Sequence, residues 1–200
     1  MLGVTYMKET NLDKRCLLHG SSDASFNSEE DTKSITGYVF TCTGGAITWG
    51  SQKQSLTALS AMEAECLALT EATQEAMWLH TLLGELKLAQ MLPTPIQEDN
   101  QGTIALSENP QFHHRLKHYL PKLHFIHEKV SDQTIRIKYC ATEQMMVDVL
   151  TKVLPKSAHQ SHVHWMGTTS NYPLSPHHSQ QCVQHQQVKL HCHISPSDRE

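Results

Sequence analysis

Residues 60 to 88 constrain the fold of this chain more than any other segment. They are rich in Ala, Leu, Met and Glu, which favour helix, and Ser60 is placed to cap the start. At about 100° per residue, Met62, Cys66, Leu69, Ala72, Ala76, Leu79, Leu83 and Leu86 fall within one narrow sector. Such a helix has to bury that stripe against another layer. Glu65 projects into the middle of the same sector near its N-terminal end, whereas Glu63 projects to roughly the opposite side and reads as surface. An ionised carboxylate facing a core is costly, and the positive end of a helix offsets only about 1 kcal/mol. Two resolutions stay open: a bound cation, or a carboxylate that reaches water or a neighbouring backbone amide.

The elements around this helix can be read in order. Segment LLHGSSDASF, residues 17 to 26, has the character of a strand carrying Asp23, and a polar turn leads from it into the β-rich run ITGYVFTCT. Gly44 and Gly45 turn the chain into a third strand, AITWGSQKQ, completing an antiparallel meander before the helix. Beyond Pro93 and Pro95, PIQED is a short strand ending at Asp99, and NQGTIALSENP is a short helix stopped by Pro110. Pro121 suits the first turn of the helix PKLHFIHEKVSD, TIRIKYC alternates as a strand, and a last helix is expected from about residue 142 to 153. The order predicts an α/β fold with a mixed sheet.

Asp23 lies within its strand and Asp99 at the end of another, and strand ends are where ligands gather in open α/β sheets. Turn or cap chemistry is the alternative for both, since Asn100 and Gln101 can begin a helix that Asp99 would cap. On a continuous last helix Asp148 points away from Met146, Val149 and Val153 and is expected to be partly exposed. No nucleophile elbow, glycine-rich phosphate loop or HExxH motif competes with the carboxylates for a catalytic role.

The 200 residues suffice for one domain and an appendage. No apolar stretch reaches the roughly 18 to 20 residues of a membrane span, and the N-terminus lacks the apolar centre of a signal peptide, so the chain is expected to be intracellular, soluble and without a membrane partner. Six cysteines are scattered without paired spacing, which indicates mostly reduced thiols. Net charge is −4, unevenly spread: residues 1 to 112 hold 6 Lys/Arg against 14 Asp/Glu, and residues 113 to 156 hold 8 against 4. A basic strip beside acidic residues suits either a grip on a phosphate backbone or a solvated helix face. Residues 157 to 200 contain 8 of the 15 His and 6 Gln with little apolar periodicity, and are expected to be a disordered tail. Within that tail Cys182, His185, His191, Cys192 and His193 match no zinc-finger spacing.

The run TKSITGYVFTCTGGAITWGSQKQSLTALSAMEAECLALTEATQEAMWLHTLL resembles the ribonuclease H region of copia-type retrotransposon Pol polyproteins. EDNQGTIAL, NPQFHHRLKH, HFIHEKV and ATEQMMVDVLTKVLP continue the pattern in the same order, to about residue 156. The resemblance implies a ribonuclease H-like fold, a five-stranded mixed sheet flanked by helices, over residues 17 to 156, with residues 1 to 16 a remnant of the connection to an upstream reverse transcriptase. It further implies metal-dependent hydrolysis of the RNA strand of RNA/DNA hybrids during retrotransposon reverse transcription. Asp23, Glu65, Asp99 and Asp148 match the four acidic positions and would hold two Mg²⁺ ions, with Mn²⁺ as a substitute. Lys117, Lys122, Lys129, His113, His114 and His118 are the candidates for nucleic-acid contact. The implied partners are the hybrid and a reverse transcriptase in cis or in trans, in a cytoplasmic virus-like particle, the nucleus or both. Cys66 and Glu98 stand where the family has an aromatic residue and a cysteine, and Val153 where it has a proline. These departures support the alternative of a truncated or domesticated remnant that at most binds nucleic acid.

Overall fold

The structure is a computed structural model and describes residues 2–6, 17–27, 33–109 and 119–170. Strand β1 (Leu2–Val4) pairs with the last strand, β7 (Thr168–Ser170), in a small separate sheet. The main sheet has five strands: β2 (His19–Ser25), β3 (Ile35–Cys42), β4 (Gly45–Lys53), β5 (Thr94–Glu98) and β6 (Ile135–Tyr139). Their spatial order is β4-β3-β2-β5-β6. The first three form an antiparallel meander, while β5 pairs parallel with β2, and β6 parallel with β5. This is the five-stranded mixed sheet that the resemblance implies.

Helix α1 (Ala61–Glu85) covers one face. Its stripe Leu69, Ala72, Ala76, Leu79 and Leu83 is buried against Leu18, Phe40, Ile96 and Ile135, each large side chain contributing about 1.5–3 kcal/mol. Thr70 and Thr73 sit inside the helix because their hydroxyls donate back to the Cys66 and Leu69 carbonyls at 2.7 Å, which spares buried polar atoms. Ser60 caps the start, its side chain accepting from the Glu63 amide. Glu63 in turn accepts from the Leu59 amide at 2.6 Å. It is therefore buried in a capping arrangement and not the surface residue expected from the wheel; end chemistry overrides helical phase in a first turn. At the other end Lys87 takes a left-handed φ of 63° and a Schellman closure links Lys87 to Gly84 and Leu88 to Leu83, so Leu86 lies past the helix and is exposed.

The hairpin between β3 and β4 turns at Thr43 and Gly44, both with positive φ, one residue earlier than the two glycines suggest. Helix α2 (Gln101–Glu108) follows β5, and α3 (Leu120–Ser131) begins with Pro121 in its first turn and buries Leu123 and Ile126.

The single helix expected over residues 142 to 153 is broken. A 3₁₀ turn (Thr142–Gln144) leads through extended Met145 to a short α4 (Asp148–Thr151). Met145 and Val147 are both fully buried beside Val39 and Ala46. Two residues apart, they would point about 200° from each other on a helix, so burying both on one face requires the break.

A further helix follows α4. Helix α5 (Lys156–Trp165) buries His162, whose Nδ1 lies 2.7 Å from the Met145 carbonyl oxygen, and the Ala46 amide donates to the Met166 carbonyl. The same closure engages the amino-terminal segment, because the Thr5 amide donates to Gly167. Residues 2–6 and 156–169 thus pack in one compact unit with the main sheet. Residues 171–200, including the Cys182 to His193 cluster, lie outside the described residues. No helix among the described residues is long and apolar enough to cross a membrane. Among the described cysteines Cys42 is disulfide-bonded, whereas Cys66 and Cys140 are free.

Candidate metal centre

Strand β2 is the switch point of the sheet: the chain proceeds from it to β3 and β4 on one side and to β5 and β6 on the other. Its rungs with β5 are Gly20 with Ile96 and Ser21 with Gln97, and Asp23 lies beyond them, where the two parallel strands end. Asp23 is paired with Gly37 across the antiparallel ladder, which turns both towards α4. Asp99 follows the last residue of β5, and Glu65 reaches the same place from the first turns of α1. Oxygens of Asp23, Glu65 and Asp99 all lie within 4.8 Å of one another.

The surroundings of each acid differ. Asp23 is buried, and it accepts from the Thr151 hydroxyl and from Lys152 Nζ at 3.0 Å. Glu65 is buried too; the Ala24 amide hydrogen-bonds its carboxyl, yet Oε2 has no partner. The amide alternative for Glu65 is therefore half realised, and one oxygen is left over. Burial, and then the nearby Glu98, Asp23 and Asp99, push its carboxyl far above the usual range. Asp99 is half-buried and accepts from the Thr142 hydroxyl at 2.8 Å. It does not cap α2, because Asn100 does so by accepting from the Thr103 amide at 3.1 Å.

Asp148 is outside the three-carboxylate group but is linked to it. Lys152 Nζ stands 3.1 Å from Asp148 Oδ1 as well as 3.0 Å from Asp23 Oδ1. Asp148 is buried, not partly exposed, since the broken helix invalidates a wheel drawn through residues 142 to 153. Burial and Asp23 raise its carboxyl, with Lys152 opposing. Burial works against the Lys152 charge, but Asp23 and Asp148 outweigh it and hold the ammonium above its usual value.

One residue escaped sequence reasoning. Glu98 is fully buried on the α1 side, where Ser22 Oγ and the Asn100 amide donate to it at 3.0 and 3.2 Å. Burial raises its carboxyl, and those two donors offset only part of the effect. The signal was the position itself, one residue before Asp99 on a strand with both faces covered. Nearby Cys66 is sealed beneath Thr103, and burial pushes its thiol up to about 12, which makes it inert.

Among the basic candidates, Lys122 is half-buried on α3 and exerts a weak pull on Glu71 of α1. Lys129 is committed elsewhere: its Nζ is 2.7 Å from Glu128 and 3.0 Å from Asp132. His113, His114, Lys117 and His118 lie outside the described residues. A cavity of about 240 Å³ lined by His19, Ser21, Thr41, Gln97 and Lys138 lies towards the start of β2 and contains no carboxylate.

The donor set is all oxygen and clustered at a sheet switch point, with one buried carboxylate oxygen unsatisfied. A Pol polyprotein from transposon TNT 1-94 of Nicotiana tabacum is 38% identical over 83% of this chain, and one from transposon RE1 of Arabidopsis thaliana is 34% identical over 76%. Its homologues are retrovirus-related Pol polyproteins, and its fold is that of ribonuclease H. The chain spans 13% and 10% of the length of those two relatives. In structure it matches LC11-RNase H1, isolated from compost, with a TM-score of 0.51 and 15% identity, covering 73% of this chain and 97% of that one. A foamy viral protease-reverse transcriptase in complex with RNA/DNA hybrid matches with a TM-score of 0.50 and 15% identity over 79% of this chain and 22% of the other. No protein-family model matches the chain. Within this ribonuclease H fold, Asp23, Glu65 and Asp99 converge directly, and Asp148 joins them through a lysine.

Proposed function

We propose that this chain is a divalent-metal-dependent ribonuclease H of a retrotransposon Pol protein, which hydrolyses the RNA strand of an RNA/DNA hybrid during reverse transcription. The convergence of Asp23, Glu65 and Asp99 within 4.8 Å carries the reading. Three buried or half-buried acids held that close repel one another unless a proton or a cation lies among them, and a cation lets all three ionise. Hard oxygen donors suit Mg²⁺ or Mn²⁺, and the unpartnered Glu65 Oε2 is an oxygen still in need of a ligand. Glu65 and Asp99 would hold one ion together with Asp23; Asp23 and Asp148 would hold the second. When bound, such a pair supplies activation of the attacking water and stabilisation of the leaving 3′ oxygen.

The chain's own residues do the rest. Thr151 and the β3 rung fix Asp23, and Asn100 relieves Asp99 of capping. The half-exposed Asp99 marks the side open to a substrate, since Asp23, Glu65 and Asp148 are buried. Lys122 remains a candidate for backbone phosphate contact, and a grip on phosphates and 2′-hydroxyls would make cutting largely independent of sequence. A reverse transcriptase, joined in the same polyprotein or supplied separately, would present the hybrid.

The test is cleavage of an end-labelled RNA/DNA hybrid by the full chain with Mg²⁺, beside Asp99→Asn and single-stranded RNA. Cutting restricted to the hybrid and lost in Asp99→Asn supports the proposal. A folded protein that binds the hybrid and leaves it intact at saturating Mg²⁺ and Mn²⁺ identifies a remnant instead, as the substitutions at Cys66 and Glu98 would suit.

A further inference from the structure

The Lys152 ammonium lies between Asp23 Oδ1 and Asp148 Oδ1, at 3.0 and 3.1 Å. Those two side chains are 1% and 7% exposed, while the lysine side chain is 32% exposed. The lysine thus enters from solvent, and its single positive charge is shared between two carboxylates that are almost withdrawn from water. It is held at the C-cap of α4, where its backbone turns extended at φ −129° and ψ 150°. Extended backbone at the last turn leaves its long side chain free to swing outward without unwinding the helix.

We propose that Lys152 is a built-in placeholder for the second divalent cation, occupying the Asp23–Asp148 gap in the metal-free protein and leaving it when that cation binds. The inference rests on the metal reading above. The two positive charges compete for the same oxygens and repel each other, the more strongly because the incoming ion is divalent. The two metal positions are therefore unequal. Asp23, Glu65 and Asp99 form an anionic group that does not include Lys152's second partner, whereas the Asp148 position fills only against the lysine. The placeholder also spares the metal-free protein an unpaired buried anion at Asp148.

Isothermal titration of the full chain with Mn²⁺, compared with Lys152→Met and Lys152→Arg, tests this. The expected result is two unequal sites in the natural chain. In Lys152→Met the weaker constant tightens at least about tenfold and by more than the stronger one, and in Lys152→Arg it stays weak. A weaker constant that is unchanged or worse in Lys152→Met overturns the proposal. A second readout needs no variant: the Lys152 amine should acylate slowly in a chelator and faster at saturating Mg²⁺, followed by mass spectrometry. Equal reactivity in both conditions overturns the proposal even if Lys152→Met fails to fold. Absence of any Mn²⁺ binding in all three proteins overturns the metal reading and this inference with it, whereas one intact strong site with no response to Lys152 overturns the inference alone.

Discussion

Gly37 sits directly opposite Asp23 in the β2–β3 ladder, and the side chain it lacks makes room for the helix that completes the site. A Cβ at Gly37 would come within 2.5 Å of Thr151 Cγ2, 3.2 Å of Val147 Cγ2 and 3.3 Å of Leu150 Cβ. Glycine is required here for close approach, since α4 brings Thr151 and Lys152 onto Asp23. Gly37→Ala should displace α4, costing about 1–3 kcal/mol by urea denaturation and reducing hybrid cleavage more than hybrid binding. Unchanged stability would mean that α4 is free to adjust and does not fix Asp23.

Glu65→Gln separates stability from metal binding. With its carboxyl far above the usual range, Glu65 is neutral in the metal-free protein near neutral pH, and glutamine is close in shape to the protonated acid. The variant should keep its metal-free stability within about 0.5 kcal/mol and lose most of the rise in melting temperature that Mg²⁺ produces. A preserved rise would remove Glu65 from the metal site.

Stability of the metal-free protein should fall as pH rises. Glu65 and Glu98 have folded values above the ordinary 4.5, with Glu98 pushed up to about 8, so the folded state keeps protons that the unfolded chain has released. Their contribution is complete below the unfolded value and is lost as pH climbs through the raised ones. Between about pH 7 and about pH 8.5, above the range where His19 and His80 change charge, urea midpoints in a chelator should decrease, and Glu98→Gln should flatten the trend. Mg²⁺ affinity should move the other way, because ligands must be deprotonated to bind. A chelator midpoint that is level or rising with pH contradicts this.

The end of the domain is set by α5. Comparing a chain that stops at residue 155 with one that stops at residue 170 isolates α5 and β7. The shorter one uncovers Met145 and Ala46 and leaves β1 without its partner, so it should be less stable by about 2–4 kcal/mol in calorimetry or denaturant. Equal stability would return residues 156–170 to the tail.

His162→Ala probes the same joint more finely. Losing the contact with the Met145 carbonyl and the ring packing on Trp165, whose centroid is 5.0 Å away, should cost about 1–2 kcal/mol. Cleavage should be affected only in proportion to stability.

Local chemistry by itself determined the strand and helix order from β2 to β6, the N-cap at Ser60 and the phase that turns Glu65 inward. Each depends on neighbours within a turn or two, where propensity and periodicity act. Tertiary packing decided the remainder. Met145 and Val147 both bury, so the last helix breaks and Asp148 becomes an interior residue despite its outward phase on a continuous helix. Glu63 is drawn in by an orphan amide at Leu59, and His162 and Met166, four residues apart in a polar stretch, gain a core face only because β4 and the Met145 turn are there to receive them. The gathering of Asp23, Glu65 and Asp99 depends on β2 and β5 ending side by side, and the Lys152 bridge on the missing side chain of Gly37. Sequence spacing reports along one chain, whereas charge compensation is settled by whichever groups the folded chain brings within a few ångströms.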